Sequence, residues 1–136
     1  MYAVGDIARC PHPDTRWTGA ADTAAVVAAG LAADPQAVVL TLGDHTYPRG
    51  TAAEFANCYG PTWGRFKERT WPSPGNHEYY TKGALPYFAY FGARAGRGYY
   101  SLTLGSWRIY SLDSNLRGAA QETQPAWLKD ALARPP

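Results

Sequence analysis

Five residues of this 136-residue chain combine types and settings that could do chemistry together: Asp6, Asp44, Tyr47, Asn76 and His77. They lie in three short polar stretches, Gly5-Asp6, Gly43-Asp44-His45-Thr46-Tyr47 and Gly75-Asn76-His77-Glu78. Each stretch follows an apolar or extended run: Ala3-Val4, Ala37 to Leu42, and Thr70 to Pro74. Such runs read as strands, so the polar residues fall at strand ends. An open α/β sheet gathers the carboxyl ends of its strands around one crevice, where groups far apart in sequence can converge. A glycine before each polar group lets the backbone turn tightly there. Carboxylate, amide and phenol oxygens are the donors that hard cations prefer, and the set reads as a binuclear metal site. A carboxylate can bridge two cations about 3.5–4 Å apart and so make a nucleophile from water near neutral pH. An imidazole beside them could protonate a departing oxygen.

The bland reading of each residue is a turn or helix cap, which is what a lone Asp or Asn after glycine usually does. Three patterned stretches in order favour the chemical reading. At these residues the chain resembles the calcineurin-like metallophosphoesterases, whose signature runs Asp, Gly-Asp, then Gly-Asn-His-Asp/Glu, then later histidines. The purple acid phosphatases look like the nearest branch. Gly5-Asp6-Ile7-Ala8 lacks a histidine two residues after the Asp, and Tyr47, three residues after Asp44, would replace it.

The resemblance implies that Asp6 and Tyr47 serve a first metal, Asp44 bridges, Asn76 serves a second, and His77 stays off the metals as a proton donor. It also implies phosphate monoester or diester hydrolysis with two metal ions, drawn from iron, manganese and zinc. A phenolate favours a hard trivalent ion, and the absence of further imidazoles speaks against zinc. The implied fold is a four-layer α/β sandwich, two mixed sheets flanked by helices. The family completes its site with three later histidines, but this chain has none after His77. Residues 1–136 therefore read as the amino-terminal part of one domain, incomplete at the C-terminus and needing a completing segment or second chain. A non-catalytic metal- or phosphate-binding fragment is the alternative.

Other polar residues carry weaker expectations. Glu78 could favour a protonated His77. His45, beside the bridging Asp44, could touch substrate, whereas His12 in Pro11-His12-Pro13 reads as a solvated loop residue. Arg49 could meet a phosphate, and Asp113 and Asn115 end a strand near the crevice. Tyr79-Tyr80 and the aromatics from Tyr87 to Phe91 read as core or rim packing, with the latter cluster flanking the site mouth.

Composition sets bounds on all of this. With 46% hydrophobic residues, five Trp, ten Tyr and four Phe, the chain can build a core. A net charge of +2 offers no polyanion-binding surface, so nucleic acid is not favoured. No apolar run reaches the ~18 residues of a membrane span, and no signal peptide precedes the first strand. Cys10 and Cys58 follow the first two motif strands and could form a disulfide or remain free thiols; a disulfide would place the parent protein in a secreted or periplasmic setting. The elements that must position the site are a helix over 18–33 and a capped helix over 51–59. A hairpin turning at Gly105-Ser106 follows, then a helix over 121–133 with Trp127, Leu128 and Leu132 inward.

Overall fold

The structure, a computed structural model, describes residues 1–10 and 19–134; His12 lies outside them. Three parallel strands form the central sheet: β1 (Tyr2–Val4), then β3 (Val39–Leu42) in the middle, then β5 (Thr70–Ser73). Their register aligns Ala3, Leu40 and Trp71 in one row. A second, unforeseen ladder lies beyond the carboxyl ends of β1 and β3, where β2 (Ala8–Arg9) pairs in parallel with β4 (Thr46–Tyr47). It continues the β1–β3 direction past the two Gly-Asp turns, which is why both turns are held on either side.

The crossover between β1 and β3 is α1 (Ala20–Ala33), an alanine-rich segment of high intrinsic helix preference. Ala20, Ala24, Val27 and Leu31 recur every three to four residues and are its buried stripe. Gly30 interrupts the alanines because a β-carbon there would collide with the Tyr2 ring.

The helix expected over 51–59 is the start of a longer helical run. Thr51 Oγ1 accepts the Glu54 N–H at 3.2 Å, and the Glu54 carboxylate accepts the Thr51 N–H at 2.8 Å, the anticipated capping box. After α2 (Ala52–Glu54) the chain widens into a π turn at Phe55–Tyr59, tightens into α3 (Gly60–Trp63), and ends as a 3₁₀ stretch at Gly64–Arg69. This run drives Phe55, Tyr59, Trp63 and Phe66 into the core. Truncating one such aromatic to alanine costs about 3–5 kcal/mol. Trp63 Nε1 donates to Ala20 O at 3.0 Å, and the Arg69 guanidinium donates to the carbonyls of Leu31, Asp34 and Ala37. Those bonds tie both ends of α1 to the run.

After β5 come the short α4 (Asn76–Tyr79) and α5 (Leu85–Phe91). Tyr87 and Phe91 are core residues, so this cluster supports the sheet from behind, not the mouth of the crevice. The hairpin β6 (Tyr100–Leu104) and β7 (Trp107–Ser111) turns at Gly105-Ser106, with Leu104 opposite Trp107. It attaches beside β5 through Ser73 Oγ to Ser111 Oγ at 2.5 Å and Tyr100 OH to Pro72 O at 2.9 Å. The last helix, α6 (Ala119–Ala133), begins two residues before the expected start. Trp127 packs on Tyr99 and Tyr110, but Leu132, expected inward, is 61% exposed and Ala131 takes the buried place. Cys10 and Cys58 are joined in a disulfide with Cα atoms 6.3 Å apart. Among the described residues no helix is long and apolar enough to cross a membrane.

Candidate metal centre

The site begins where β1 and β3 end. The turns after them run side by side: Asp6 N–H donates to Gly43 O at 3.3 Å, Ile7 N–H to Asp44 O at 3.0 Å, and Ala8 N–H to His45 O at 3.1 Å. Asp6 and Asp44 both have left-handed backbones, with φ of 55° and 52°. Aspartate tolerates this better than most residues, yet the conformation still costs free energy and persists only where its surroundings fix it. Its effect is to turn both carboxylates to one point. The Tyr47 hydroxyl lies there, brought in by β4, and contacts Asp6 Oδ1 closely and Asp44 Oδ2 at 3.0 Å.

Three oxygens from three residues thus crowd around one phenolic proton. Burial first, then hydrogen bonds to Asp6 and Asp44, push the phenol well above its ordinary pKa. The two carboxylates hold that proton in place. A cation among the same oxygens reverses this logic, because it stabilises phenolate and carboxylates together. By donor chemistry, Asp6, Asp44 and Tyr47 fit a hard ion.

Asp44 divides its two oxygens. Oδ2 faces Tyr47, while Oδ1 accepts the His77 N–H at 3.0 Å from the start of α4. Such close approach of the two loops needs small residues: a β-carbon on Gly43 would come within 2.7 Å of Gly75 Cα, and one on Gly75 within 2.5 Å of Asp44 N. Asn76 is exposed, and its Nδ2 donates to the Tyr80 hydroxyl at 3.1 Å. That bond occupies the amide nitrogen and leaves Oδ1 as the atom with ligand character.

His77 is fixed on three sides. Its Nδ1 lies 2.7 Å from Pro48 O, and because a carbonyl only accepts, Nδ1 carries a proton. Nε2 remains for chemistry. The rings of Tyr47 and Tyr80 flank the imidazole at centroid distances of 4.2 and 4.6 Å.

Behind the crevice the arrangement differs from expectation. Glu78 is fully buried and does not serve His77. Its carboxylate accepts N–H groups from Asp44 at 2.9 Å, His45 at 2.8 Å and Gly75 at 2.7 Å. His45 is equally buried, with Nδ1 3.4 Å from Glu78 and Nε2 2.7 Å from Thr41 Oγ1, so it cannot touch substrate. Phe55, Tyr59, Tyr87 and Phe91 surround its ring. Burial alone would push the Glu78 carboxyl up; the His45 ring and the Gly75 and His45 N–H groups outweigh that and hold it below the usual range.

Asp113 is also buried, accepting the Tyr79 hydroxyl at 2.5 Å and the Asn115 N–H at 2.9 Å. Through Tyr79 it braces α4. Burial raises its pKa despite the Tyr79 bond. Arg49 spends its guanidinium on Tyr80 O at 3.3 Å. Nothing local announced the β2–β4 ladder, and the one signal for a buried role of Glu78 was an acidic residue at the third position of α4, a capping-box place.

Among the described residues no group of three or more His, Cys, Asp or Glu side chains is arranged to hold a metal. The convergent set is two carboxylates and a phenol, and the Asn76 amide, bonded to Tyr80, stands at the start of α4 without a side-chain hydrogen bond to them. Neither a curated protein nor a solved structure matches the chain. The family model described as calcineurin-like phosphoesterase matches residues 2–132, a span that includes all three polar stretches, and the chain belongs to that family.

Proposed function

We propose that this chain carries the amino-terminal ligand set of a two-metal phosphoesterase centre of the purple-acid-phosphatase-like branch, hydrolysing phosphate monoesters or diesters. Family membership implies phosphoester substrates, binuclear metal use and hydrolase chemistry. The observation that carries the finer reading is the convergence of Asp6 and Asp44, both on left-handed backbones, on the Tyr47 hydroxyl. The branch rests on Tyr47 standing where a histidine would otherwise serve, with Ala8 at the position two after Asp6.

Two metal ions, when bound, supply a nucleophile from water at neutral pH and offset the negative charge of the phosphoryl oxygens. The protein's own contributions are separate. Asp6 and Tyr47 would hold the first ion, Asp44 would be shared between the two, and the Asn76 amide oxygen would serve the second. His77, with its Nδ1–H committed to Pro48 O, would present Nε2 to the leaving oxygen and, as the imidazolium with both nitrogens protonated, give it the Nε2 proton and become neutral. A phenolate at Tyr47 favours ferric iron, and the remaining oxygens accept manganese; zinc would want imidazoles.

Among the described residues the second position has only Asp44 and Asn76, so we read residues 1–136 as part of a larger four-layer domain whose further imidazoles come from a completing segment or chain. The alternative is a fragment that binds metal or phosphate without turnover. The Cys10–Cys58 disulfide supports a secreted or periplasmic parent protein.

The test is metal retention. Manganese- or iron-loaded chain is dialysed and its metal measured by mass spectrometry. Asp44→Asn is expected to lose more metal than any other single substitution, by about 100-fold or more in affinity. Retention by Asp44→Asn alongside loss by Asp6→Asn would overturn the bridging role. Turnover of phosphate esters by the isolated chain is expected near background, and a rate of about 1 s⁻¹ or more would show that no further histidines are needed.

A further inference from the structure

Arg9 stands beside the candidate centre with no assigned role. It pairs in register with Tyr47 across the parallel β2–β4 ladder, so the two side chains leave the ladder on the same side. Arg9, Asp6, Ile7 and Tyr47 line an open cavity of about 370 Å³. Arg9 is exposed, and among the described residues no carboxylate pairs with its guanidinium and no hydrogen bond occupies it.

The placement is directional. Tyr47 neighbours both Arg9, its ladder partner, and His77, whose ring is 4.2 Å away. On the reading above, the leaving oxygen faces His77 and the nucleophile attacks in line from the opposite side of phosphorus, so Arg9, on the open cavity beside Tyr47, is placed to meet the oxygens that neither attack nor leave. We propose that Arg9 forms a subsite for the non-leaving phosphoryl oxygens and makes the centre selective for phosphomonoesters over diesters. This rests on the two-metal reading, because the Asp6 carboxylate in the same cavity would repel a phosphate until a cation offsets it.

The selectivity follows from charge and shape. A guanidinium presents a planar fork of donors that matches two anionic oxygens of one phosphate. A monoester has three terminal oxygens, so such a pair would remain for Arg9 if the metal centre took one. A diester has two, so one would remain, with an ester group where the second donor would reach. Arg9 therefore gains most from the dianion and little from the diester.

The experiment is calorimetric titration of the manganese-loaded chain with inorganic phosphate, phenyl phosphate and diphenyl phosphate, with bound manganese measured in parallel. Arg9→Gln is expected to weaken phosphate and phenyl phosphate binding about 10–100-fold while leaving diphenyl phosphate within about twofold. Arg9→Lys, which keeps the charge and loses the fork, should recover part of the loss. Manganese content should not change in either variant, and circular dichroism should be unaltered for a substitution at so exposed a position. Equal weakening of all three probes, or none, with manganese retained, overturns the subsite and leaves the metal reading standing. A wild-type chain that retains no manganese overturns both.

Discussion

The same two loops build two clusters of opposite character. On the crevice side, Asp6, Asp44 and Tyr47 bring three oxygens together around one proton, half-open to solvent and next to a cavity. On the core side, Glu78 and His45 are fully buried, and the carboxylate accepts three backbone N–H groups, from Asp44, His45 and Gly75. Backbone donors satisfy the buried carboxylate, while the exposed one has too many acceptors around it. A satisfied buried charge fixes structure, and an over-supplied open cluster of anions binds cations. Glu78 joins the Asp44 loop to the Gly75 loop, so the dry cluster sets the spacing that the wet cluster uses.

Crossed substitutions should separate the two clusters most clearly. Glu78→Gln should destabilise the fold by about 3 kcal/mol, because an amide presents a donor to backbone donors and leaves His45 unpaired in the core. That corresponds to a fall of roughly 10 °C in Tm by calorimetry or circular dichroism. Asp44→Asn should move Tm far less while abolishing metal retention. If both substitutions shift Tm equally, the division into a structural and a binding cluster is wrong.

Tyr47→Phe sharpens the binding half. It should weaken the first metal about 10–100-fold, with Tm within about 2 °C of wild type in metal-free buffer. Ferric-loaded wild type should absorb visible light through phenolate-to-metal charge transfer, and Tyr47→Phe should lose the band. A colourless protein with stoichiometric iron and an intact Tyr47 would favour a divalent metal and sink the branch assignment.

The smallest effects come from acid titration, where two buried carboxylates should act with opposite signs. The Glu78 pKa is lowered on folding, so its contribution is present above the ordinary carboxylate range and lost as pH falls through the folded value. The stability gap between wild type and Glu78→Gln should therefore narrow in acid. The Asp113 pKa is raised, mainly by burial, so its contribution is present at low pH and lost as pH rises through the folded value. Asp113→Asn should then be within about 1 kcal/mol of wild type at neutral pH, since an amide can still meet the Tyr79 hydroxyl and the Asn115 N–H. Denaturant unfolding between about pH 3 and 7 measures both, and parallel profiles for the two carboxylates would contradict the opposed shifts.

Much of this molecule was legible along the chain because the signals were local. The strands before Asp6, Asp44 and Asn76, the alanine-rich crossover, the Thr51–Glu54 capping box and the Gly105-Ser106 hairpin all depend on neighbours a few residues apart. Residue type alone fixed the chemical character of the site, hard oxygens with one imidazole, since Asp, Tyr and Asn carry their donors wherever they lie. Direction and partnership came only with the tertiary structure. His45 looked like a site residue from its place beside Asp44, yet the left-handed turn at Asp44 sends that carboxylate to the crevice and the next side chain to the core. Glu78 could have served His77 by sequence adjacency, but a helical turn aimed it at the Asp44 loop, more than thirty positions earlier. Leu132 fitted an inward periodicity that Ala131 satisfied instead, because the angle at which α6 meets the hairpin is set by Trp127 against Tyr99 and Tyr110. Periodicity specifies a face, and only packing against a particular neighbour decides where that face points.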